Sequence, residues 1–318
     1  MLNAATLALL LGLAAAAVWG SLKGGWRNAA VKWSIRGAAV VAAIACITIA
    51  ALMLNGMARL TQRTAPIPDL HVVVTPQRIA RGEEIARTFC DACHTGPGLP
   101  DGTLSGGVDV GRHLPLPLGT MVSGNLTPAG AVAQWSDGQL FRAIRNAVDA
   151  DGHWLVIMSY TNAGHLSDDD LQSVIAYIRS RPAAGAPTPN PPDTLNPLGL
   201  AMLGAGLLPT GHPILTDAIA APAKAPTEQY GEYILSFQDC RACHGADLKG
   251  GVKGQMPPIG PDLALLQAWS LQDFVKTMRT GIDPDGHQIQ DPMPWQQVGK
   301  MDDTELAALY QALRRVGE

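Results

Sequence analysis

The chain reads Cys-x-x-Cys-His twice, at Cys90-Asp91-Ala92-Cys93-His94 and at Cys240-Arg241-Ala242-Cys243-His244. A Cys-x-x-Cys pair can be a thiol–disulfide couple, half of a zinc site or, with histidine next in line, the attachment point of a c-type haem. Two copies with the histidine in the same place, each followed by a methionine, point to the haem. In that chemistry Cys90, Cys93, Cys240 and Cys243 form thioethers to haem vinyl groups, and His94 and His244 become the proximal ligands of two irons. The far side of each iron then sets the function. A methionine thioether there suits electron transfer, whereas an open position suits oxygen or peroxide chemistry.

Met158 and Met293 are the candidate sixth ligands. Each follows an Asp-Gly-His triplet, at 151–153 and 285–287, and each precedes the last helical segment of its region. Met293 lies in Pro-Met-Pro-Trp, where the prolines restrict the backbone that carries the sulfur. Met158 lies in Ile-Met-Ser-Tyr without them. The alternative for either is a gap-filling core side chain, and Met121 and Met256 are the fallback ligands. Arg145 and Arg279 occupy matching positions and suit a haem propionate, with a solvent-facing helix arginine as the other reading. His153 and His287 read as polar turn residues rather than ligands. His71, His113, His165 and His212 have no counterpart in the repeat. Asp168-Asp169-Asp170 reads as a charged helix start. The sequence offers no convincing acid/base pair, activated nucleophile, phosphate loop or dinucleotide fingerprint.

These residues sit in an internal repeat. The first copy covers residues 78–181 and the second 227–318. Each opens on a helical stretch ending in its Cys-x-x-Cys-His, followed by a Gly/Pro-rich loop. A Trp-led helix comes next (WSDGQLFRAIRNAV, WSLQDFVKTMRTGI), then Asp-Gly-His, the methionine and a closing helix. Ser167 and Asp302 are good N-caps for the closing helices, with acids in the first turn and arginines in the last. From His94 to Met158 is 64 positions and from His244 to Met293 is 49, so the first copy is longer by 15. The linker 182–226 is rich in proline, which predicts a semi-rigid, largely extended segment. Its apolar stretch LGLAMLGAGLLP is too short to span a bilayer. Packing across the two domains is the expectation for it, with grazing of the membrane as the alternative.

Residues 2–20 and 37–58 carry no charge, and each run is long enough to cross the roughly 30 Å of a bilayer core as a helix. They form a candidate membrane anchor, residues 1–60. A cleaved signal peptide plus one helix is the rival reading, but Met1 runs directly into apolar sequence without the positive start a signal peptide wants. Lys23, Arg27, Lys32 and Arg36 lie between the runs without an acid, which places that loop in the cytoplasm and residues after 58 outside. Attachment of c-type haem on the outer side of a bacterial cytoplasmic membrane agrees with this topology. The fold class expected is all-α, two transmembrane helices followed by two tandem haem domains. Cys46 lies within the second run as a small apolar residue.

No Asp or Glu precedes Asp69, and from Thr61 onward 18 basic residues stand against 27 acidic ones, a formal charge of −9. That sign disfavours a nucleic-acid partner. It can steer a basic soluble partner, or simply keep the surface solvated.

With these residues in view, the region 78–318 resembles class I cytochrome c domains. It is similar above all to membrane-bound cytochrome c subunits of periplasmic alcohol, aldehyde and sugar-acid dehydrogenases. CDACHTGPG, GNLTP at 124–128 and WSDGQLFRAIRNAVDADGH carry the resemblance in the first copy, with MSYTNAGHLSDDDLQSVIAYIRS. CRACHGADLKGG, GPDL at 260–263, RTGIDPDGH and DPMPW carry it in the second. The resemblance implies helical domains of roughly 100 residues around two covalently bound haem c groups with His/Met ligation. It departs in three ways: two haem motifs where those subunits commonly carry three, an anchor of two leading helices, and Ile-Met-Ser-Tyr where Met-Pro is usual. The expected function is electron transfer, from a dehydrogenase or quinol-oxidising partner to a soluble cytochrome or terminal oxidase. The partners implied are membrane lipid and the subunits of such a complex. An integral subunit of a haem–copper oxidase is the alternative, and a dihaem peroxidase a third reading.

Overall fold

The computed structural model describes residues 2–25, 27–255 and 257–316. It is mainly helical, as the sequence predicts, and divides into two compact units.

The first unit comprises residues up to Thr64 together with Gly111–Met121 and Asp193–Thr210. Helices α1 (Leu2–Lys23) and α2 (Ala29–Arg59) pack on each other. The basic loop is shorter than its sequence suggests. Asn28 accepts from the N–H groups of Ala30 and Val31, so α2 begins two turns before its apolar run and takes Lys32 and Arg36 into the helix. Lys23 lies over the Trp19 ring and Arg36 over Trp33, with both indoles exposed. Most large apolar side chains of α1 and α2 are also exposed, among them Leu9, Leu11, Leu13, Val40, Val41, Ile44 and Ile47. Strands β1 (Gly119–Met121) and β2 (Asp193–Leu195) pair antiparallel in the same unit. Gly111–Met121 falls within the longer stretch that separates Cys-x-x-Cys-His from Met158 in the first copy, and it supplies β1 to the unit of α1 and α2.

The apolar stretch of the linker is a helix, α7 (Pro197–Gly204), and its partner is α2. The sequence anticipates packing across the two domains; the helix packs on α2 instead. Two glycines set the approach. A Cβ on Gly56 would lie 2.0 Å from the Leu200 carbonyl oxygen, and one on Gly204 would lie 1.9 Å from that of Leu52. Backbones this close need small residues at the crossing.

The second unit holds both repeat copies. The first copy has α3 (Pro76–Ile85), a π-helical turn (Ala86–Cys90), α4 (Asp91–His94), α5 (Asp137–Asn146) and α6 (Asp168–Ser180). The second has α8 (Glu228–Phe237), α9 (Cys240–His244), α10 (Leu271–Thr280), α11 (Trp295–Val298) and α12 (Asp303–Leu313). Ser167 and Asp302 cap α6 and α12 as expected, their side chains accepting from Asp170 and Glu305 N–H. In each copy the first helix crosses the last at a glycine. A Cβ on Gly82 would meet the Ser173 carbonyl oxygen at 2.0 Å, and one on Gly231 would meet that of Ala308 at 2.0 Å. Ile85, Leu171, Ile175 and Tyr177 belong to the same core as Ile234, Phe237, Leu306 and Leu309.

Charge is buried where the copies meet. The Arg81 guanidinium donates to both carboxylate oxygens of Asp170 at 2.8 Å, to Glu305 at 2.7 Å and to the Tyr230 hydroxyl at 3.0 Å. Asp170 and Glu305 are equivalent positions of the repeat, as are Arg81 and Tyr230, so one cation bridges two related acids. Tyr233 donates to Asp170 at 2.6 Å. Lys224 extends the cluster, 2.7 Å from Asp302 and 2.9 Å from Glu84. Burial alone would raise the Asp302 pKa, but the Lys224 ammonium and nearby backbone N–H groups more than offset it and hold the carboxyl below its usual range. Burial works against the Lys224 charge too, yet its acidic partners raise its pKa overall.

The sign of the pH dependence follows. Stability from a lowered carboxylate is present above its unfolded value and lost as the pH falls through the folded one. Stability from a raised ammonium is present below its unfolded value and lost as the pH rises through the folded one. Lys224→Met is therefore expected to melt at a lower temperature than the parent at neutral pH. The gap should narrow below about pH 4 and above about pH 10.4. Thermal melts across that range check it; a gap independent of pH would count against the ion pair.

Candidate haem sites

The rod formed by α3, the π-helical turn and α4 presents Cys90, Cys93 and His94; α8 and α9 present Cys240, Cys243 and His244. None of the four cysteines is in a disulfide. Burial pushes the Cys90 and Cys240 thiols up to about 12, and raises Cys93 and Cys243 as well.

Each histidine is held by a backbone carbonyl. His94 Nδ1 lies 2.8 Å from the Gly124 oxygen, and His244 Nδ1 lies 2.8 Å from the Pro261 oxygen. A carbonyl can only accept, so Nδ1 carries the proton and Nε2 keeps its lone pair for a metal. Burial lowers the His94 pKa against the pull of that hydrogen bond, which keeps the ring neutral. The acceptors fall in GNLTP and GPDL, two phrases whose purpose is not legible in the sequence.

The loops behind the histidines differ in length, 12 residues against 6, but close on matching hydrogen bonds. Gly106 N–H donates to the His94 carbonyl at 2.7 Å, and Gly250 N–H to that of His244 at 2.8 Å. Leu104 and Leu248, both buried, have φ of 52° and 62°. Bulky residues rarely adopt that conformation, at a cost of about 1–3 kcal/mol each. Their carbonyls accept from Leu126 and Leu263 N–H, both at 2.9 Å, joining each strained turn to the segment that supplies the histidine's acceptor. A Cβ on Gly260 would lie 2.8–3.0 Å from the His244 ring. Gly260→Ala is expected to push the imidazole off Pro261, break the Nδ1–H hydrogen bond that makes the ring a stronger ligand, and raise the potential of one haem alone. A redox titration in which neither midpoint moves would refute it.

Met158 starts a short 3-10 turn (Met158–Tyr160) and packs, half-buried, beside Trp135, Ala143, Ala147 and Leu155. Met293 is half-buried just before α11. Of the fallback ligands, Met121 is buried in β1 of the first unit, and Met256 lies outside the described residues.

Arg145 and Arg279 have protein partners. Arg145, with its side chain only 2% exposed, donates to the Gly164 and Leu166 carbonyls at 2.6 and 2.7 Å and to Asp168 at 2.6 Å. Arg279 donates to the Gly299 carbonyl and to Asp303 at 3.0 Å. Both tie the segment after the methionine to the start of the closing helix. Unspent donors lie elsewhere in the first copy: Trp154 Nε1 and Arg142 Nε are buried without a protein acceptor. Arg142 also donates to the Asp149 carbonyl, and Val148 bridges to Trp154, so the two donors belong to one neighbourhood. Buried donors of this kind fit an anionic group such as a propionate. The histidines of the Asp-Gly-His triplets act as turn residues. Asp149 accepts from His153 N–H and Asp283 from His287 N–H, at 2.8 and 2.7 Å, and each carboxylate also faces its histidine ring.

The segment after each methionine touches the haem-motif helices of the other copy. Asp239, next to Cys240, accepts from Asn162 N–H at 2.8 Å and from its side chain at 2.9 Å. Reciprocally, α11 packs on the π-helical turn that ends at Cys90. Phe89 and Phe237 meet edge to face, with centroids 6.5 Å apart.

This donor set is that of a cytochrome c. Residues 77–178 match the family model described as cytochrome c oxidase, cbb3-type, subunit III, and residues 229–315 match that described as cytochrome c. The chain thus carries two tandem cytochrome c domains, with haem c as their cofactor and one group for each domain. It is 31% identical over 257 residues to the fructose dehydrogenase cytochrome subunit of Gluconobacter japonicus, covering 72% of this chain and 50% of that protein. It is 32% identical over 92 residues to the cytochrome c subunit of the quinone-dependent alcohol dehydrogenase of Gluconobacter oxydans, covering 25% of this chain and 19% of that protein. It is 30% identical over 186 residues to a nicotinate dehydrogenase subunit of Pseudomonas putida, covering 55% of this chain and 15% of that protein. The chain spans at most half the length of these relatives. The findings together support an electron-transfer cytochrome.

Proposed function

We propose that this chain is a membrane-anchored dihaem carrier that takes electrons from a dehydrogenase on the periplasmic side of a bacterial cytoplasmic membrane. It passes them through both haems to a soluble cytochrome or terminal oxidase, and is itself non-catalytic. The observation that carries the reading is the pair of histidines held alike by backbone carbonyls in two domains that share one core. Haem c bound at these sites supplies a one-electron iron couple. His94, His244, Met158 and Met293 would hold the two irons, and the four cysteines would make the attachment permanent. Rigid surroundings favour electron exchange because little must move when the charge changes.

Anchoring rests on α1 and α2. Their stretches are long and apolar enough to cross a membrane, and only 11% and 17% of these are buried, whereas a core helix of a soluble protein is mostly covered. The basic and aromatic side chains at the α1–α2 turn form the cytoplasmic boundary. The dehydrogenase donor is supported by the cytochrome subunits to which the chain is similar. The match of residues 77–178 to an oxidase subunit favours a second reading, an integral subunit of a haem–copper oxidase.

Purification of the native protein in mild detergent, with identification of every chain that stays bound, separates the two. A large dehydrogenase subunit supports the first reading. Oxidase membrane subunits overturn it in favour of the second. Rapid carbon monoxide binding by the reduced wild-type protein would instead reveal an exchangeable site and sink the carrier reading.

A further inference from the structure

We infer that α7 is a re-entrant membrane helix: the linker between the haem domains dips into the outer leaflet and lays residues 197–209 against lipid acyl chains. This rests on the reading of α2 as a membrane span.

Depth is fixed by the contact with α2. Leu200 opposes Gly56 and Gly204 opposes Leu52, so α7 runs antiparallel to α2, beside the last turns of its charge-free run. Arg59 and Arg63 mark the outer end of that run. From Arg59 down to Leu52 is about 10 Å at 1.5 Å per residue, close to the depth reached by interfacial helices. The segment then comes back: Arg63 donates to the Thr210 carbonyl at 3.3 Å, at the level from which α7 set out.

The composition and the capping fit hydrocarbon. Residues 197–209, PLGLAMLGAGLLP, contain no charged or hydrogen-bonding side chain. Leu207 is 68% exposed and Leu198 47%. In lipid every backbone polar group needs an internal partner, and both ends of α7 provide them. Asn196 caps the first turn, accepting from Gly199 N–H at 2.9 Å. At the other end Gly206, at φ 72°, donates to Leu203 at 3.1 Å, and Leu207 N–H donates to Met202 at 2.9 Å, a Schellman closure. Asn55, a polar residue within the apolar run of α2, donates to the Gly204 carbonyl at 2.7 Å. That hydrogen bond gives both groups a partner where water is absent.

The test is thiol labelling of the full haem-loaded chain in phosphatidylethanolamine–phosphatidylglycerol vesicles, at less than one copy per vesicle. In a Cys46→Ala background, single cysteines replace Leu198, Leu207, Ile47 (mid-α2) and Ala183, an exposed linker residue, each variant checked for two haems per chain. A membrane-impermeant maleimide should react with positions 198 and 207 roughly ten-fold or more slowly than with 183, because the attacking thiolate does not form in hydrocarbon. Position 47 should be shielded equally. Labelling of 198 and 207 as fast as 183, with 47 still shielded, overturns the re-entrant helix and leaves the anchor intact. Fast labelling at 47 overturns the anchor itself. Shielding of 198 and 207 that arises only when co-purifying membrane subunits are added makes this face a protein interface and overturns the lipid assignment.

Discussion

Replacing Met293 by alanine is expected to make one of the two haems bind carbon monoxide when reduced, and to lower the potential of that haem while the other keeps its own. In the proposed ligation the thioether both fills the sixth position and raises the potential. Its removal should cost on the order of a tenth to a quarter of the roughly 0.8 V that axial ligands span. The fold should tolerate the change. Met293 is only half-buried, and the segment around it is held independently: Trp295 N–H donates to the Met293 carbonyl at 2.9 Å, and Arg279 ties the Gly299 carbonyl to Asp303. Met293→His supplies the control. It should refill the position, block carbon monoxide and still lower the potential. Spectra with and without carbon monoxide, with a redox titration, decide the matter. If the alanine variant binds no carbon monoxide and both midpoints stay put, Met293 is not a ligand.

Arg81→Met is the second large effect expected, and it concerns stability. Arg81 neutralises Asp170 and Glu305 together, and the two carboxylates are only 11% and 8% exposed. Without the guanidinium two like charges remain buried with Lys224 as the remaining cation of the cluster, near Glu305 at 3.5 Å. Removing one partner of a buried ion pair typically costs about 3–5 kcal/mol, because the desolvated partner is left uncompensated. Adding Asp170→Asn and Glu305→Gln to the methionine variant should restore a large part of that loss, since the uncompensated charges go with the arginine. Urea denaturation followed by far-UV circular dichroism reads both steps. A loss below about 1 kcal/mol for Arg81→Met would mean that the cluster behaves like a surface pair.

Arg81 also shows where sequence reading stops. Its equivalent in the second copy is Tyr230, so the repeat flags no shared charge there, and Asp168-Asp169-Asp170 reads as a helix start whether or not its third acid is buried. All three do lie in the first turn of α6, but Asp170 also faces Arg81 and Tyr233. Only the folding together of the two copies assigns that role, because the acids stand 89 and 224 positions from Arg81 along the chain. Arg145 and Arg279 teach the same lesson in reverse. Their matched positions suggest a shared ligand, and they do share a task, anchoring the closing helix through protein carbonyls and a first-turn aspartate.

What the sequence determined by itself is whatever short-range chemistry dictates. Cysteines three apart with an adjacent histidine specify a haem attachment, periodicity and N-caps specify the helices, and two charge-free runs specify the two long apolar helices at the start. Tertiary structure decided everything that depends on which backbone group comes near. It chose the Gly124 and Pro261 carbonyls for the two histidines and made glycines necessary at 56, 82, 204 and 231. It also folded the apolar part of a proline-rich linker against α2. A carbonyl looks the same at every residue, and eight apolar residues look alike wherever they pack. Their meaning lies in the neighbour, and the neighbour is set by the fold.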